Sequence, residues 1–378
     1  MPPLKVGIVC YPTLGGSGVV ATELGKSLAK LGNEVHFITT GHPSRLSGYD
    51  ERVYLHKVVT GEYPLFQQYA PYSLSLAVKI REVAEQYRLD LVHVHYAIPH
   101  AASAFLAKEM LKPRRLPTMT TLHGTDITLV GMMPSYYEIT RFSIEKSDAV
   151  TAVSEFLRRE TVREFHIEHP IEVIHNFVDT ELFRLEEQPC AARARLSPRG
   201  ERVLMHISNF RKVKNLPIVL QVFDEIRKHV PARLALVGDG PEREATERQA
   251  EEMGIADRVD FLGDQESVSD ILPAADVFLL PSQHESFGLA ALEAMACGVP
   301  VVGSRIGGLP EVIVHEETGY LCDPTDVPCM TAIVMGLLRN EELRRSIGRA
   351  ARARAEREFN RDLIVGRYVD AYRRLVGS

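Results

Sequence analysis

The most informative segment of this chain runs Pro281-Ser-Gln-His-Glu-Ser-Phe-Gly-Leu-Ala-Ala-Leu-Glu-Ala-Met-Ala-Cys-Gly-Val-Pro-Val-Val302. It contains the end of a buried strand, a loop, one apolar helix (287–296) and the next strand. Glu285 lies just before the helix and Glu293 in its second turn. A rise of ~1.5 Å per residue separates these carboxylates by roughly 12 Å, about the length of a sugar–diphosphate–ribose unit. Free N–H groups at the helix start, residues 286–289, can bind the diphosphate between them.

The length and composition predict a folded protein of two domains. The 378 residues exceed what one small core needs, and 45% hydrophobic with 25% charged residues is typical of globular chains. A net charge of -6 argues against nucleic acid as the main partner. No segment approaches the ~20 apolar residues that a bilayer requires, and no signal-peptide h-region precedes the first strand. We therefore expect a cytoplasmic protein without stable membrane association.

Cysteine and carboxylate spacing gives no indication of a metal centre. The five cysteines are odd in number and scattered, without a Cys-x-x-Cys pair or the Cys/His spacing of a zinc site, and we interpret them as buried free thiols. The Asp-x-Asp pair that binds divalent cations in many sugar transferases is also missing from the sequence. We predict that neither a metal nor another cofactor is required.

Short Val- and Ile-rich runs alternate with amphipathic segments in two successive series, which predicts two doubly wound parallel sheets. The first series has strands at 5–10, 34–39, 91–95, 118–122, 149–153 and 172–175. After the polar stretch 186–202, the second has strands at 203–208, 233–237, 259–262, 277–280, 300–303 and 320–322. Intervening helices are predicted at 20–31, 74–87, 216–228 and 287–296, and a C-terminal helical stretch at 342–376 with a break near Glu358-Phe-Asn-Arg361. We predict α/β architecture with Rossmann-like domains at 1–178, completed by a C-terminal helix at 360–378, and at 179–359.

The first predicted strand leads into a glycine-rich turn, Tyr11-Pro-Thr-Leu-Gly-Gly-Ser-Gly18. Three glycines in four residues are costly in backbone entropy, so close approach of a ligand explains them better than a purely structural turn. The turn is not a Gly-x-Gly-x-x-Gly motif, and no acidic residue ends the second strand, where an NAD ribose would need one. We do not expect a nicotinamide-dependent dehydrogenase.

Segment 281–302 resembles the Glu-x7-Glu signature of retaining family 4 glycosyltransferases, which have the GT-B fold. Further matching motifs are Val237-Gly-Asp-Gly-Pro-Glu242, Phe261-Leu-Gly263, Ala275-Asp-Val-Phe-Leu-Leu-Pro-Ser282, Gly307-Gly-Leu-Pro-Glu311, Glu317-Thr-Gly-Tyr-Leu321, Leu122-His-Gly-Thr-Asp126 and Val173-Ile-His-Asn-Phe-Val-Asp179. The resemblance implies two Rossmann-like domains that face a central cleft, an N-terminal acceptor domain and a C-terminal nucleotide-sugar domain. It also implies sugar transfer with retention of anomeric configuration.

The resemblance also assigns roles to individual residues. It implies catalytic roles for Glu285, His123, Arg211 and Lys214. Donor and nucleotide contacts are expected at Gly15, Gly16, Glu293, Ser286, Phe287, Gly288 and Leu289. Acceptor contacts are expected at Ser17, Tyr96, Thr121 and Asn209. In Ser208-Asn-Phe-Arg-Lys-Val-Lys-Asn215, Lys214 matches the family lysine, Asn209 replaces the usual arginine, and Arg211 can supply the guanidinium.

Histidines and one aspartate near the predicted strand ends have alternative roles. His123 is expected to contact the donor sugar, and Asp126 either orients His123 or caps a turn. We expect His93 and His95 to point to opposite faces of their strand, which would exclude a simple two-ligand metal site. We interpret His93 as a core residue or as a neighbour of the site.

The expected reaction is departure of the diphosphate, with its growing charge stabilised by basic side chains and N–H groups. Glu285 is then a clamp for sugar hydroxyls, or, in a double displacement, the one candidate nucleophile. Segments 11–18 and 91–97 resemble the branch of the family that moves N-acetylglucosamine from UDP-GlcNAc to L-malate in bacillithiol biosynthesis. Another acceptor (inositol phosphate, a sugar or a lipid carrier), a nucleotide-sugar epimerase or phosphorylase, a silent sugar-nucleotide-binding protein and a homodimeric state all stay open.

Overall fold

The computed structural model describes residues 2–13, 15–46, 50–61, 71–185 and 190–377. The chain divides into two compact units, unit 1 with residues 1–176 and 362–378, and unit 2 with residues 177–361. Of the predicted boundary stretch 186–202, residues 186–189 lie outside the described residues, as does Leu14 of the glycine-rich turn.

Unit 1 contains a parallel sheet that has seven strands among the described residues. Its strands are β1 (Lys5–Val9), β2 (Glu34–Thr39), β3 (Val53–Lys57), β4 (Leu91–His95), β5 (Thr118–Leu122), β6 (Ala149–Ala152) and β7 (Ile171–Val173). Its helices before the unit boundary are α1 (Ser17–Lys30), α2 (Tyr72–Tyr87), α3 (Ala102–Met110), α4 (Tyr137–Glu145) and α5 (Glu155–Phe165). The spatial order is β3-β2-β1-β4-β5-β6-β7, so the winding direction reverses between β1 and β4. Apolar faces of α2 and α3 pack against this sheet in one core cluster.

Unit 2 contains a second parallel sheet, with six strands among the described residues. Its strands are β8 (Arg202–Ile207), β9 (Ala232–Val237), β10 (Val259–Gly263), β11 (Val277–Leu280), β12 (Val301–Ser304) and β13 (Tyr320–Cys322). Its helices are α6 (Ala191–Leu196), α7 (Leu216–Arg227), α8 (Arg243–Glu252), α9 (Leu289–Ala296), α10 (Leu309–Val312), α11 (Val327–Arg339) and α12 (Glu341–Glu358). The spatial order is β10-β9-β8-β11-β12-β13, with the reversal between β8 and β11. Core side chains of α7 and α11 pack on its strands.

The predicted class of two doubly wound Rossmann-like domains is confirmed, and every predicted strand occurs within two residues of its expected bounds. The sequence pattern missed β3, which is the edge strand of its sheet and leaves Tyr54 and Leu55 exposed. A strand that is largely exposed has no continuous apolar run, so it lacks the signal that identifies the others. Helix α1 begins three residues earlier than predicted, at Ser17, and α9 begins two residues later, at Leu289.

The C-terminal helical stretch is interrupted where the sequence predicted it. Helix α12 ends at Glu358, and the last helix, α13, covers Arg361–Gly377. Tyr368 and Tyr372 of α13 are fully buried within unit 1, and the Tyr372 hydroxyl bonds Nδ1 of His93 at 2.7 Å. The last helix therefore contributes directly to the core of unit 1.

All five cysteines are free, but they are not equally buried. Cys10, Cys297 and Cys322 are buried as expected, whereas Cys190 and Cys329 are partly exposed. Among the described helices, none is both long and apolar enough to cross a bilayer.

Asp276 joins several elements at the amino-terminal edge of the unit 2 sheet. Its buried carboxylate accepts hydrogen bonds from Arg193 at 2.7 Å, from the Val203 N–H at 2.9 Å and from Arg202 at 3.1 Å. Arg344 lies 3.5 Å from the same carboxylate. One negative charge therefore compensates three guanidinium groups that come from α6, β8 and α12.

We predict that Asp276→Asn destabilises unit 2 by about 2–4 kcal/mol, because an amide leaves three partly buried guanidinium groups without the carboxylate that faces them. The measurement is the urea unfolding midpoint of unit 2. Glu244→Gln is the matched control, since this side chain is 88% exposed and should change stability by less than about 0.5 kcal/mol. Equal midpoints for both variants would contradict the structural role of Asp276.

Candidate active site

Most candidate residues follow the carboxyl ends of the two strands where the winding direction reverses in each sheet, β1 and β4 in unit 1 and β8 and β11 in unit 2. In open α/β sheets this is where the loops diverge and leave a crevice for ligands. Thr121 and His123 lie at the end of β5, the strand next to β4. In unit 2 the loops follow β8 and β11, and they are joined by a hydrogen bond from Gln283 N–H to the Val213 carbonyl at 2.8 Å. The amide of Asn215 also donates to the Pro281 carbonyl at 3.1 Å.

The two loops of unit 2 bring together the predicted residues Lys214 and Glu285. The Lys214 Nζ lies 2.8 Å from Glu285 Oε2, and the two side chains are only 19% and 14% exposed. A partly buried ion pair of this kind holds both groups in fixed positions at the sheet edge. It offers a bound sugar phosphate a cation for its oxygens and a carboxylate for its hydroxyls.

Arg211 and Asn209 lie on the same loop after β8, but both are exposed. Within the described part of the chain, no hydrogen bond or ion pair holds the Arg211 guanidinium. Gly240 has φ +153°, and a Cβ there would lie 2.1 Å from the Asn209 carbonyl oxygen. The motif at 237–242 therefore packs its backbone directly under the β8 loop, which only glycine allows.

A buried histidine that the sequence analysis did not identify fixes the start of the β8 loop. His206 Nδ1 lies 2.9 Å from the Leu279 carbonyl, and its Nε2 lies 2.8 Å from Ser208 Oγ. Burial lowers the pKa of His206 to about 4, so the ring is neutral at neutral pH. Nδ1–H thus donates to Leu279, and Nε2 accepts from Ser208, whose oxygen also accepts from the Phe210 N–H at 3.3 Å.

The loop after β11 leads into α9 through residues that are close-packed. Gly288 has φ +101° and precedes the helix, which has no side-chain cap in the described structure, so its first N–H groups are available to an anion. Phe287 is buried and packs edge-to-face on Phe359 at 5.7 Å, and Glu293 lies inside the helix, 6% exposed. A Cβ on Gly307 would lie 1.9 Å from the Glu285 carbonyl oxygen, so the motif at 307–311 supports the Glu285 loop.

In unit 1 the glycine-rich turn after β1 faces the end of β4. Gly15 and Gly16 are exposed, Gly16 has φ +58°, and a Cβ on either would meet no atom within 4 Å. Packing therefore does not explain these two glycines. The hydroxyl of Ser17, the first residue of α1, donates a hydrogen bond to Tyr96 Oη at 2.7 Å, which joins two of the four residues predicted to contact the acceptor.

Tyr96 lies in a group of aromatic rings at the end of β4. Its ring centroid lies 5.9 Å from Tyr11, 6.2 Å from His100 and 5.3 Å from His123. His100 is fixed in turn by the Tyr72 hydroxyl, 3.2 Å from Nε2, and burial lowers the pKa of His100 to about 4. This edge of unit 1 thus presents neutral, partly aromatic groups in place of the ion pair of unit 2.

The expectation that His93 and His95 point to opposite faces of β4 is wrong. Their ring centroids lie 4.4 Å apart, because residues two apart in a strand share a face. His93 is fully buried, and its Nε2 bonds Thr121 Oγ1 at 2.7 Å, which confirms the first of its two interpretations, a core residue. His95 Nδ1 lies 2.8 Å from His123 Nε2.

Thr121 and Asp126 have partners within the fold. The Thr121 hydroxyl is fully buried between His93 and Thr151, 2.6 Å from the latter, so it would have to leave these partners to reach an acceptor. Asp126 accepts from the N–H groups of Ala97 at 2.8 Å, Gly124 at 3.0 Å and His123 at 3.3 Å. Of its two roles left open by the sequence, these contacts support the turn cap, and burial raises the pKa of Asp126 to about 6.

Two family models match the chain. The model described as Glycosyltransferase Family 4 matches residues 14–182, and the model described as Glycosyl transferases group 1 matches residues 191–354. The chain is also 47% identical over 369 residues to the N-acetyl-alpha-D-glucosaminyl L-malate synthase of Bacillus anthracis. The aligned region covers 98% of this chain and 96% of that protein.

Solved structures show the same fold at lower identity. HepE of Anabaena, in complex with UDP and glucose, has a TM-score of 0.82 and 20% identity, with 97% of this chain and 99% of that chain covered. Sucrose-phosphate synthase from Thermosynechococcus elongatus has a TM-score of 0.82 and 23% identity, with 99% of each chain covered. The motifs, the two sheets and the similarity over nearly the whole chain lead to one conclusion. This chain belongs to the family 4 glycosyltransferases and has the GT-B fold.

Proposed function

We propose that this glycosyltransferase moves N-acetylglucosamine from UDP-GlcNAc to the hydroxyl of L-malate, with retention of configuration and without a metal. The observation that carries the proposal is the 47% identity, over almost the whole length of both proteins, to a synthase whose name states this sugar and this acceptor. The site geometry supports it, since the Lys214–Glu285 pair follows the strands where the winding direction reverses, which is where open α/β sheets bind their ligands.

Unit 2 would bind the donor. Arg211, Lys214 and the first N–H groups of α9 provide positive charge for the two phosphates. Glu285 would accept hydrogen bonds from sugar hydroxyls, and Glu293 from the ribose. The ion pair limits the movement of Glu285, so the sugar would meet a carboxylate that is already in position.

The chemical step is the departure of UDP. Negative charge builds on the leaving phosphate as the sugar becomes cation-like. Lys214, already held in position by Glu285, and the exposed Arg211 would stabilise that charge. In the proposed route the acceptor hydroxyl attacks on the face from which UDP leaves, and the leaving phosphate oxygen takes its proton. Glu285 then holds the sugar and forms no covalent bond with it.

Unit 1 would bind the acceptor. L-malate is a dianion at neutral pH and needs several hydrogen-bond donors or cations. Ser17 and Tyr96 offer two hydroxyls, already joined at 2.7 Å, beside the exposed N–H groups of Gly15 and Gly16.

The first test is a product assay with UDP-GlcNAc and L-malate in the presence of EDTA. We expect mass spectrometry to show a malate glycoside, and NMR to show that the anomeric configuration of the donor is retained. Inositol phosphate and a simple sugar are the alternative acceptors in parallel reactions. UDP release with only one of these would contradict the malate assignment, and inhibition by EDTA would contradict the metal-free route.

Glu285→Gln tests the proposed clamp. We expect activity to fall by about 100-fold and the KM for UDP-GlcNAc to rise, because a neutral amide oxygen accepts hydrogen bonds from sugar hydroxyls more weakly than a carboxylate. The affinity for UDP alone should stay the same, and Glu244→Gln serves as the control with unchanged kinetics. Unchanged affinity of the variant for UDP-GlcNAc, together with a sugar covalently trapped on Glu285 of the wild-type protein, would instead identify a double displacement.

Ser17→Ala and Tyr96→Phe test the acceptor site. Each removes one neutral hydroxyl while it keeps the surrounding packing, so we expect the KM for L-malate to rise about 5- to 10-fold in each variant. Because the two hydroxyls bond each other, the double variant should lose less than the product of the single effects. A rise in the KM for UDP-GlcNAc with no change for malate would contradict this assignment.

A further inference from the structure

His95 and His123 form a pair of imidazoles at the end of two neighbouring strands. His95 is the last residue of β4, and His123 directly follows β5, with which β4 pairs in parallel. His95 Nδ1 lies 2.8 Å from His123 Nε2, and the ring centroids are 5.0 Å apart. This contact is a hydrogen bond, so one ring must donate and the other must accept.

Both rings are neutral at neutral pH. Burial lowers the pKa of His123 to about 3, and burial together with the adjacent His93, His123 and His100 rings lowers the pKa of His95 well below its usual value. A neutral imidazole carries one N–H and one bare nitrogen. The direction of the bond between them therefore determines the tautomer of both residues.

The surroundings of His95 distinguish the two directions. If His123 donated, the proton of His95 would be on Nε2, which is fully buried and has no hydrogen-bond partner among the described residues. A buried N–H without an acceptor costs about 1–3 kcal/mol and is rarer in proteins than a bare acceptor without a donor. If His95 donates through Nδ1–H, its Nε2 is a bare acceptor, which is the less costly arrangement.

His95 also packs against His93, which is itself fixed by hydrogen bonds. The two ring centroids lie 4.4 Å apart, and the two nitrogens of His93 bond the Tyr372 hydroxyl and the Thr121 hydroxyl, each at 2.7 Å. Because Tyr372 belongs to α13, the last helix of the chain supports the orientation of His95. The ring has no freedom to turn away from His123 without breaking this packing.

We propose that His95 is a positioning residue that holds His123 in the Nδ1–H tautomer, so that His123 presents a hydrogen-bond donor to its ligand. His123 is partly exposed, and its Nδ1 has no hydrogen-bond partner in the described part of the chain. The group it recognises is then an oxygen with a free lone pair, such as a sugar hydroxyl or amide carbonyl oxygen. Its identification as the donor sugar rests on the proposed function.

The test compares two isosteric variants of His95 with the wild-type protein. His95→Asn keeps an N–H donor near the position of Nδ1, whereas His95→Asp offers only an acceptor to His123 Nε2. The readout is the ¹⁵N NMR spectrum of histidine-labelled full-length protein at neutral pH. The His123 signals are assigned from their loss in His123→Gln.

We expect the protonated nitrogen of His123 to be Nδ1 in the wild type and in His95→Asn, and Nε2 in His95→Asp. A wild-type His123 protonated on Nε2 overturns the proposal without any variant at position 95, so a variant that fails to fold does not prevent the test. The same tautomer in all three proteins likewise overturns the positioning role of His95.

Kinetics separates this proposal from the proposed function. We expect kcat/KM for UDP-GlcNAc to fall about 10- to 100-fold in His95→Asp and by less than about 3-fold in His95→Asn, in line with the loss of one buried hydrogen bond. A tautomer that changes in His95→Asp with unchanged kinetics supports the role of His95 but contradicts a donor-sugar contact by His123. The product assay is independent of either result.

Discussion

The position of the candidate groups depends on one topological constraint, the reversal of winding in each parallel sheet. Parallel strands are connected by right-handed crossovers. The chain therefore adds strands on one side of its first strand, returns, and adds the remaining strands on the other side, so the direction in which strands are added reverses once. In unit 1 the reversal lies between β1 and β4, and in unit 2 between β8 and β11. The loops on either side diverge there, and polar side chains can reach a ligand without interrupting the sheet.

The two units use this position with different chemistry. Unit 2 has a close ion pair, Lys214 with Glu285, and an adjoining exposed Arg211. Such charges suit a diphosphate, whose charge changes during sugar transfer. Unit 1 has the buried His93 and the partly exposed His123, both kept neutral by desolvation, together with tyrosine and serine hydroxyls. Neutral hydrogen-bond donors that are held in one orientation distinguish ligands by the positions of their acceptor atoms. Such groups are better suited to binding hydroxyls and carboxylates than to stabilising the charge of a leaving group.

Much of the fold could be predicted because buried parallel strands leave a strong signal. Apolar runs rich in Val and Ile predicted the bounds of β1, β2 and β11 to within one residue. The edge strand β3 was not predicted because it is largely exposed and has no such run. The site was partly predictable for a related reason. Residues that follow strand ends, such as Lys214 and Tyr96, can be found by locating the strands. His206 was not identified, and the contacts of His95 were not predicted, because a histidine inside a strand gives no indication of its hydrogen-bond partners.

The sequence by itself determined the two α/β domains, the glycine-rich turn and the family motifs, since these depend on local periodicity and on residue types at fixed spacing. Only the tertiary structure decided which groups meet: Lys214 with Glu285 across 71 positions, Ser17 with Tyr96 across 79, and His93 with Tyr372 across 279. Such contacts arise from strand order and packing, which bring distant segments together. The protonation state and tautomer of a histidine depend on those contacts, and therefore no local pattern encodes them.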